Sequence, residues 1–332
     1  MAFLSVIIPA YNAEKTIKRC VESVLNQSEE VDFEIIIVND GSIDNTKKIL
    51  ESLSSKSDKI KLIHQENKGL SAARNSGIRE SNSKYLAFLD SDDEFKSGIL
   101  YEFWSKYLDY EMDLFIFKYD RILKNDSINT KGMDLVTRNP EEAMKISLTY
   151  QGYDLLAWNK IWKNSLLINN EFPVGKLYED MVTSAIGILK SKKIVFRDFS
   201  GYNYYENSES ITSQNFKENH FDLITENLRL ISIVSENFPD LLDYFSNRLL
   251  KAMINIAMKT TNTNDKKIIN KYHKILIELM EKYDFLYDNK NILDKQFYYA
   301  WKLYEFSPNL FKYIYKFYYL IKTKFGYGRA IL

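Results

Sequence analysis

Three carboxylates within four positions, Asp90-Ser91-Asp92-Asp93, follow directly on the apolar run Tyr85-Leu86-Ala87-Phe88-Leu89. A run that short and that apolar reads as a buried strand of a parallel sheet. It places the acids at the strand's carboxyl end, the edge where open α/β sheets bind ligands. Acids this close repel one another unless a cation lies among them, and hard oxygen donors suit Mg2+ or Mn2+. A divalent ion held there would face a phosphate. A bare D-x-D is also an ordinary acidic turn, so its meaning depends on what else reaches the same edge.

Three earlier loops carry chemistry of matching kind. The first apolar run, Val6-Ile7-Ile8, ends in Pro9-Ala10-Tyr11-Asn12, with Glu14 just beyond. The second, Glu34-Ile35-Ile36-Ile37-Val38, ends in Asn39-Asp40-Gly41-Ser42, with Asp44 and Thr46 following. The third, Ile60-Lys61-Leu62-Ile63, runs into Asn67-Lys68-Gly69-Leu70-Ser71-Ala72-Ala73-Arg74-Asn75. Each group alone also fits turn and cap chemistry, where Asn, Asp, Gly and Ser dominate. Four polar loops on one edge are how a nucleotide site is assembled on a doubly wound sheet. Two further groups lie downstream: Trp158-Asn159-Lys160, and Glu179-Asp180 at the start of an amphipathic stretch. The acid pair has a structural reading at a helix N-terminus, and the tryptophan one as core.

The elements that must position these residues follow from periodicity. Short apolar runs alternate with stretches such as Ile17, Val21, Val24 and Leu25, or Ile49, Leu50 and Leu53, at helical spacing. That pattern predicts α/β architecture: a Rossmann-like, mostly parallel sheet flanked by helices. A fifth run is Leu114-Phe115-Ile116-Phe117. From Lys118 to Ser147 the pattern weakens, which predicts an irregular excursion with an edge hairpin. A helical stretch containing Trp158-Asn159-Lys160 is expected next. A helix then opens at Glu179-Asp180 with Val182, Ile186 and Leu189 inward, followed by a strand Ile194-Val195-Phe196 and a loop Tyr202-Asn203-Tyr204-Tyr205. Beyond residue 215 the sequence reads as helical, with stripes Phe221, Ile224, Leu228, Ile231; Leu242, Phe245, Leu249, Met253, Ile256; and Ile268, Tyr272, Ile275, Leu279. The expected division is a catalytic and nucleotide-binding domain over 1–214 and a helical C-terminal region over 215–332.

Composition sets bounds. The 332 residues carry 45 basic and 45 acidic side chains, so no global field draws the chain to nucleic acid. The single cysteine, Cys20, excludes an intramolecular disulfide, and its helical spacing from Ile17 and Val24 makes it a core residue. His64, His220 and His273 have no second ligand at metal spacing and read as structural or surface residues. The N-terminal residues lack the pattern of a signal peptide, and no stretch of about 18 apolar residues occurs, so a cytoplasmic protein is expected. In 301–332 aromatic rings alternate with Lys302, Lys312, Lys316, Lys322, Lys324 and Arg329 against a lone Glu305, a composition suited to a membrane surface or a second subunit of a homo-oligomer.

The quoted motifs together resemble the inverting family 2 glycosyltransferases of the GT-A fold, of the bacterial polysaccharide-biosynthesis type. The matching text is Ser5 through Asn12, Ile37 through Ser42 with Asp44 and Thr46, Asn67 through Gly77, Phe88 through Asp93, Trp158-Asn159-Lys160 and Glu179-Asp180. The resemblance implies a UDP-sugar donor whose uracil sits by Pro9, Tyr11 and Glu14 and donates its ring N–H to Asp40. It implies Mn2+ or Mg2+ on Asp92 first, with Asp90 on the ribose or a metal-bound water and Asp93 as a second ligand or sugar contact. Ser91 belongs to the same donor-binding loop. Arg74 is expected at phosphate and Asp180 as the general base, with Trp158, Lys160 and Glu179 on the acceptor side. The acceptor would be a glycan or a lipid-linked oligosaccharide. One departure stands out: where family members often carry an arginine shortly before Ser210-Ile211-Thr212, this chain has Tyr205. Rival readings are a sugar-1-phosphate nucleotidyltransferase, which wants a glycine-rich basic loop after strand one, a haloacid-dehalogenase-type phosphatase, and a non-catalytic nucleotide-sugar-binding scaffold of the same fold.

Overall fold

A computed structural model of the chain describes residues 2–124, 126–149, 152–206, 215–263, 265–287 and 294–315. Its contacts divide into two compact units, 1–208 and 209–332. In the first unit the order is β1 (Leu4–Ala10), α1 (Ile17–Leu25), β2 (Phe33–Asp40), α2 (Thr46–Ser54), β3 (Ile60–Gln65), α3 (Leu70–Glu80), β4 (Tyr85–Phe88) and β5 (Glu94–Phe95). Then come α4 (Ile99–Tyr110), β6 (Leu114–Ile122), β7 (Ser127–Asn129), β8 (Leu135–Thr137), α5 (Pro140–Thr149), β9 (Lys160–Lys163), α6 (Glu179–Lys190) and β10 (Ile194–Tyr205).

The strands form one sheet in the order β3-β2-β1-β4-β9-β6-β10-β5, with β7 beside β6 and β8 beside β10. The first four are mutually parallel, as are β6 and β10. Strand β9 runs antiparallel to both its neighbours, β4 and β6. Two reversals in succession leave β6 and β10 running the same way as β1, β2 and β4. The carboxyl ends of these five strands therefore meet at one edge, and β9 begins there. That is why 158–160, at the head of an antiparallel strand, can join loops that follow parallel ones.

Helices cover both faces, so central strands are apolar throughout and β1 is buried over its whole length. Helix α1 buries Ile17, Cys20, Val21 and Val24, as its spacing predicts. Helix α3 uses small residues to lie close to the sheet: a Cβ on Gly77 would stand 2.4 Å from Ile7 Cγ2. The excursion after β6 contains the expected hairpin, β6 with β7. Two expectations fail. Residues 158–160 form a turn and the start of β9, not a helix, because Ile161 and Trp162 are inserted between β4 and β6 in a fully buried strand. Tyr202 to Tyr205 is strand, not loop: β10 passes an irregularity between Arg197 and Tyr202 and regains register with β6 through Tyr205.

The second unit is helical over α7 (Asp222–Asn237), α8 (Leu242–Thr261), α9 (Lys266–Lys282) and α10 (Lys295–Phe306). Its core includes Leu230, Phe245, Leu249, Met253, Ile256, Leu276, Trp301 and Tyr304. In α9 the buried stripe is Tyr272, Leu276 and Met280, rotated by one position from the expected Ile275 and Leu279. Among the described residues no helix is long and apolar enough to cross a membrane.

Candidate functional site

The acid loop is held from below and from the side. Asp93 is 1% exposed. Its carboxylate accepts the Tyr202 hydroxyl at 2.8 Å and the Tyr205 N–H at 2.8 Å, and its own N–H closes a turn on the Asp90 carbonyl. The Tyr202 hydroxyl also accepts the Asp90 N–H at 3.2 Å. Burial first, then Asp92 and Asp90, pushes the Asp93 carboxyl well above its ordinary range. With one donor from β10 on each oxygen, Asp93 braces the loop. Asp90 is half-buried, Asp92 exposed, and Ser91 lies half-buried between them. Although the residue as a whole is exposed, partial desolvation of the Asp92 carboxyl among the loop atoms, and then the Asp90 charge, raise it. Two mutually repelling carboxylates at a strand end fit a hard divalent ion that takes its other oxygens from water and a diphosphate. Among the described residues no group of three or more acids, histidines or cysteines could hold a metal alone.

Arg19, on α1, was not singled out by the sequence. Its Nη2 donates to the Asp92 carbonyl at 2.6 Å, its Nε lies 3.1 Å from Glu94, and its guanidinium lies 3.9 Å over the Tyr205 ring. The tyrosine that stands where an arginine was expected thus carries an arginine from another element on its face. No local pattern announces this, since the partners are more than seventy residues apart.

Arg74 is 2% exposed and joins the acid loop to α6. Its Nη2 donates to Asp90 at 2.9 Å and its Nη1 to Glu179 at 2.7 Å. Asp180 follows in the first turn of α6, after Tyr178, which takes a left-handed φ of 60° to start the helix. Burial first, then the neighbouring Glu179, pushes the Asp180 carboxyl up to about 7, while Arg74 pulls it down, Asp90 adds to the rise and Lys160 opposes it. Three acids, Asp90, Glu179 and Asp180, share two cations here, Arg74 and Lys160.

The loops after β1 and β2 are fastened to each other. Asn12, at a left-handed φ of 48°, accepts the Ile43 N–H on its side chain and donates its own N–H to Ser42, and Ala13 N–H donates to Thr46. Glu14 accepts both the backbone and side-chain N–H groups of Asn45. Pro9 is buried in β1, while Tyr11 stands 48% exposed at the rim. Asp40 is buried and shapes the third loop: it accepts Gln65 Nε2 at 2.7 Å, Lys68 N–H at 2.9 Å and Gly69 N–H at 2.8 Å. Gly41 is required beside it, since its φ is 72° and a Cβ would lie 2.7 Å from Asn67 N.

The pattern for glycosyl transferase family 2 matches residues 5–167, which hold β1 to β9 and the acid loop but neither Glu179-Asp180 nor β10. GlyG of Streptococcus pneumoniae is 30% identical over 64% of this chain and 74% of its own. The chain belongs to glycosyl transferase family 2. GlyA of the same organism is 31% identical over 60% of this glycosyltransferase, which spans only 30% of GlyA's length. In fold the chain is similar to S. aureus TarS 1-349 in complex with UDP-GlcNAc, with a TM-score of 0.58, 17% identity, and coverage of 84% of this chain and 91% of that one.

The remaining side chains expected in this family 2 site stand behind it. Trp158 is nearly buried, stacked on Tyr202 at 4.2 Å and on Tyr204 at 5.7 Å, with Tyr119 edge-on at 4.7 Å. It forms a layered wall with the strand that braces the acid loop. Lys160 has no exposed surface, and its Nζ donates to the carbonyls of Asp154 and Leu156 and to Asn159 Oδ1 at 2.5, 2.8 and 2.6 Å. Burial pulls its ammonium down to about 7, opposed by Asp154 and Asp180. All three donors are spent on the turn that carries Trp158, which corrects the expectation of phosphate or acceptor contact. Glu179, expected near acceptor, is committed to Arg74. His64 meets Asn39, and His220 meets the backbone at Lys217. The segment around Ser210-Ile211-Thr212 lies outside the described residues.

Proposed function

We propose that this chain transfers a hexose or N-acetylhexosamine from a UDP-sugar to a glycan or lipid-linked acceptor, with inversion at the anomeric carbon, in cell-surface polysaccharide synthesis. The observation that carries the reading is the place of Asp180 in the first turn of α6, one residue from Glu179, which Arg74 ties to Asp90 of the acid loop; burial and Glu179 push its carboxyl up to about 7. A base of that strength can take a proton from an attacking hydroxyl at neutral pH. The acceptor oxygen forms its bond to the sugar carbon as the bond to the diphosphate oxygen breaks, and the proton passes to Asp180. An α-configured donor then gives a β-linked product.

Asp90 and Asp92 are the residues that would hold Mn2+ or Mg2+. Such an ion would neutralise the charge that develops on the departing diphosphate. Pro9, Tyr11, Glu14 and Asp40 would form the base pocket, with Asp40 accepting from the uracil N–H on the oxygen that carries one donor. The donor class is supported by the UDP-GlcNAc and UDP complexes of the TarS fold relatives. The sequence of 301–332, in which aromatic residues alternate with lysines, supports contact with an anionic membrane, where a lipid-linked acceptor would lie.

The decisive assay follows UDP release from UDP-glucose, UDP-galactose and their N-acetyl forms with Mn2+ and candidate acceptors, with and without Asp180→Asn. Turnover abolished by that substitution supports the reading. Tight UDP-sugar binding without turnover across acceptors would instead support a non-catalytic scaffold.

A further inference from the structure

Helix α3 touches both halves of the site. At its start, Lys68 and Gly69 donate their N–H groups to Asp40, and Ser76 donates to Gln65, which itself donates to Asp40. Within the same helix, Arg74 reaches Asp90 and Glu179. The next residue, Asn75, clamps the backbone of Phe172 from both sides: its Nδ2 donates to the Phe172 carbonyl at 2.8 Å and its Oδ1 accepts the Phe172 N–H at 2.9 Å. The Arg74 guanidinium also lies 5.3 Å over the Phe172 ring. Arg74 and Asn75 are each 2% exposed.

The stretch between those two attachments, 173–178, contains no strand or helix. Its two ends, Phe172 and Glu179, are both held by adjacent residues of one helix. Asp180 begins immediately after the second tie. Arg74 is 2% exposed and one donor on each of Nη1 and Nη2 goes to a carboxylate, so the guanidinium faces the protein interior and not an open donor pocket.

We propose that Arg74 and Asn75 are positioning residues that hold the base-bearing start of α6 in register with the donor pocket, acting through Glu179 and Phe172 and not through contact with the donor. The proposal rests on the reading of Asp180 as base. Displacing a catalytic group by about 1 Å costs on the order of 100-fold in rate, so small slack in this segment is enough to matter.

The test compares the wild type with Arg74→Gln, Arg74→Lys and Asn75→Ala, using UDP with Mn2+ as the binding probe, amide hydrogen exchange over 172–182, and steady-state kinetics with the best donor. The expected result is faster exchange confined to 172–182 and kcat lowered in all three variants, about 100-fold in Arg74→Gln and Asn75→Ala, with UDP affinity and donor KM unchanged in Asn75→Ala, which touches no residue of the acid loop. Arg74→Lys should recover part of kcat, since it keeps a charge for Glu179 but loses the fork. A drop in UDP affinity of about tenfold or more with exchange unchanged would make Arg74 a donor ligand and overturn the proposal. Arg74→Gln leaves Asp90 and Glu179 uncompensated, so if it fails to fold the neutral Asn75→Ala variant gives the same readings. Should the wild type show no transfer, the functional reading falls while exchange over 172–182 still decides whether these two residues hold that segment.

Discussion

At the residue scale, the acid pair Glu179-Asp180 was legible in the sequence as chemistry, but the bond that gives it meaning was not. Arg74 and Glu179 are 105 positions apart, and no spacing rule joins them. The same distance problem hid Arg19. Lys160 misled for a different reason: a charged residue in a polar motif reads as a ligand contact, yet its ammonium is spent on backbone and side-chain oxygens inside the wall of the site. Replacing the proposed base tests its role directly. Asp180→Asn is nearly isosteric, so UDP binding should persist while kcat falls by about 10² to 10⁴, the usual worth of a positioned general base. A kcat within a few-fold of wild type would remove Asp180 from the chemistry. The pH dependence has a defined sign. A base at Asp180 would work only when ionised, and its carboxyl is pushed up to about 7, so kcat at saturating donor should rise with pH through about 7 and level off above it. Glu179 contributes to that upward push, so Glu179→Gln should move the rising limb to lower pH. A limb that moves upward in that variant contradicts a repulsive coupling between the two carboxylates.

At the element scale, the parallel strands and their helices were readable because a strand covered on both faces is a short unbroken apolar run. Strand β9 was not, because Lys160-Ile161-Trp162-Lys163 is too short to show a period and its preceding aromatic residues suggest a helix face. Strand β10 was readable only at its start, because its irregularity between Arg197 and Tyr202 breaks the alternation that would have announced the rest. That rest carries function: β10 delivers Tyr202 and Tyr205 to the acid loop. The Tyr202 hydroxyl satisfies Asp93 and the Asp90 N–H at once, in a fully buried setting. Tyr202→Phe keeps the ring stack on Trp158 but leaves a buried carboxylate oxygen short of a donor, so it should cost about 1–3 kcal/mol in urea unfolding. It should also weaken Mn2+-dependent UDP binding, because the loop that presents Asp90 and Asp92 loses its lateral tie. Unchanged stability and unchanged UDP affinity together would show that the hydroxyl holds nothing.

At the scale of the whole molecule, a balanced charge conceals an uneven distribution. The chain has as many acids as bases, yet 301–332 holds Lys302, Lys312, Lys316, Lys322, Lys324 and Arg329 against Glu305 alone. Among the described residues of the helical unit, Tyr299, Phe306 and Tyr313 stand 68%, 81% and 71% exposed, and Leu310 and Ile314 are also exposed. Large apolar side chains left in water beside lysines match an interface that is apolar at one depth and anionic at the next. Each such lysine near an anionic surface is worth about 1 kcal/mol, an attraction that salt screens, whereas ring insertion is nearly indifferent to salt. The full-length chain should therefore sediment with vesicles containing anionic phospholipid and not with purely zwitterionic ones, and 0.5 M NaCl, with its Debye length of about 4 Å, should release most of it. Phe306→Ser with Tyr313→Ser should weaken binding at every salt concentration. Lys312→Glu should act mainly at low salt. Equal sedimentation with both lipid compositions would reject the electrostatic part, and concentration-dependent dimerisation abolished by the two serine substitutions would assign the same rings to a second copy of the chain.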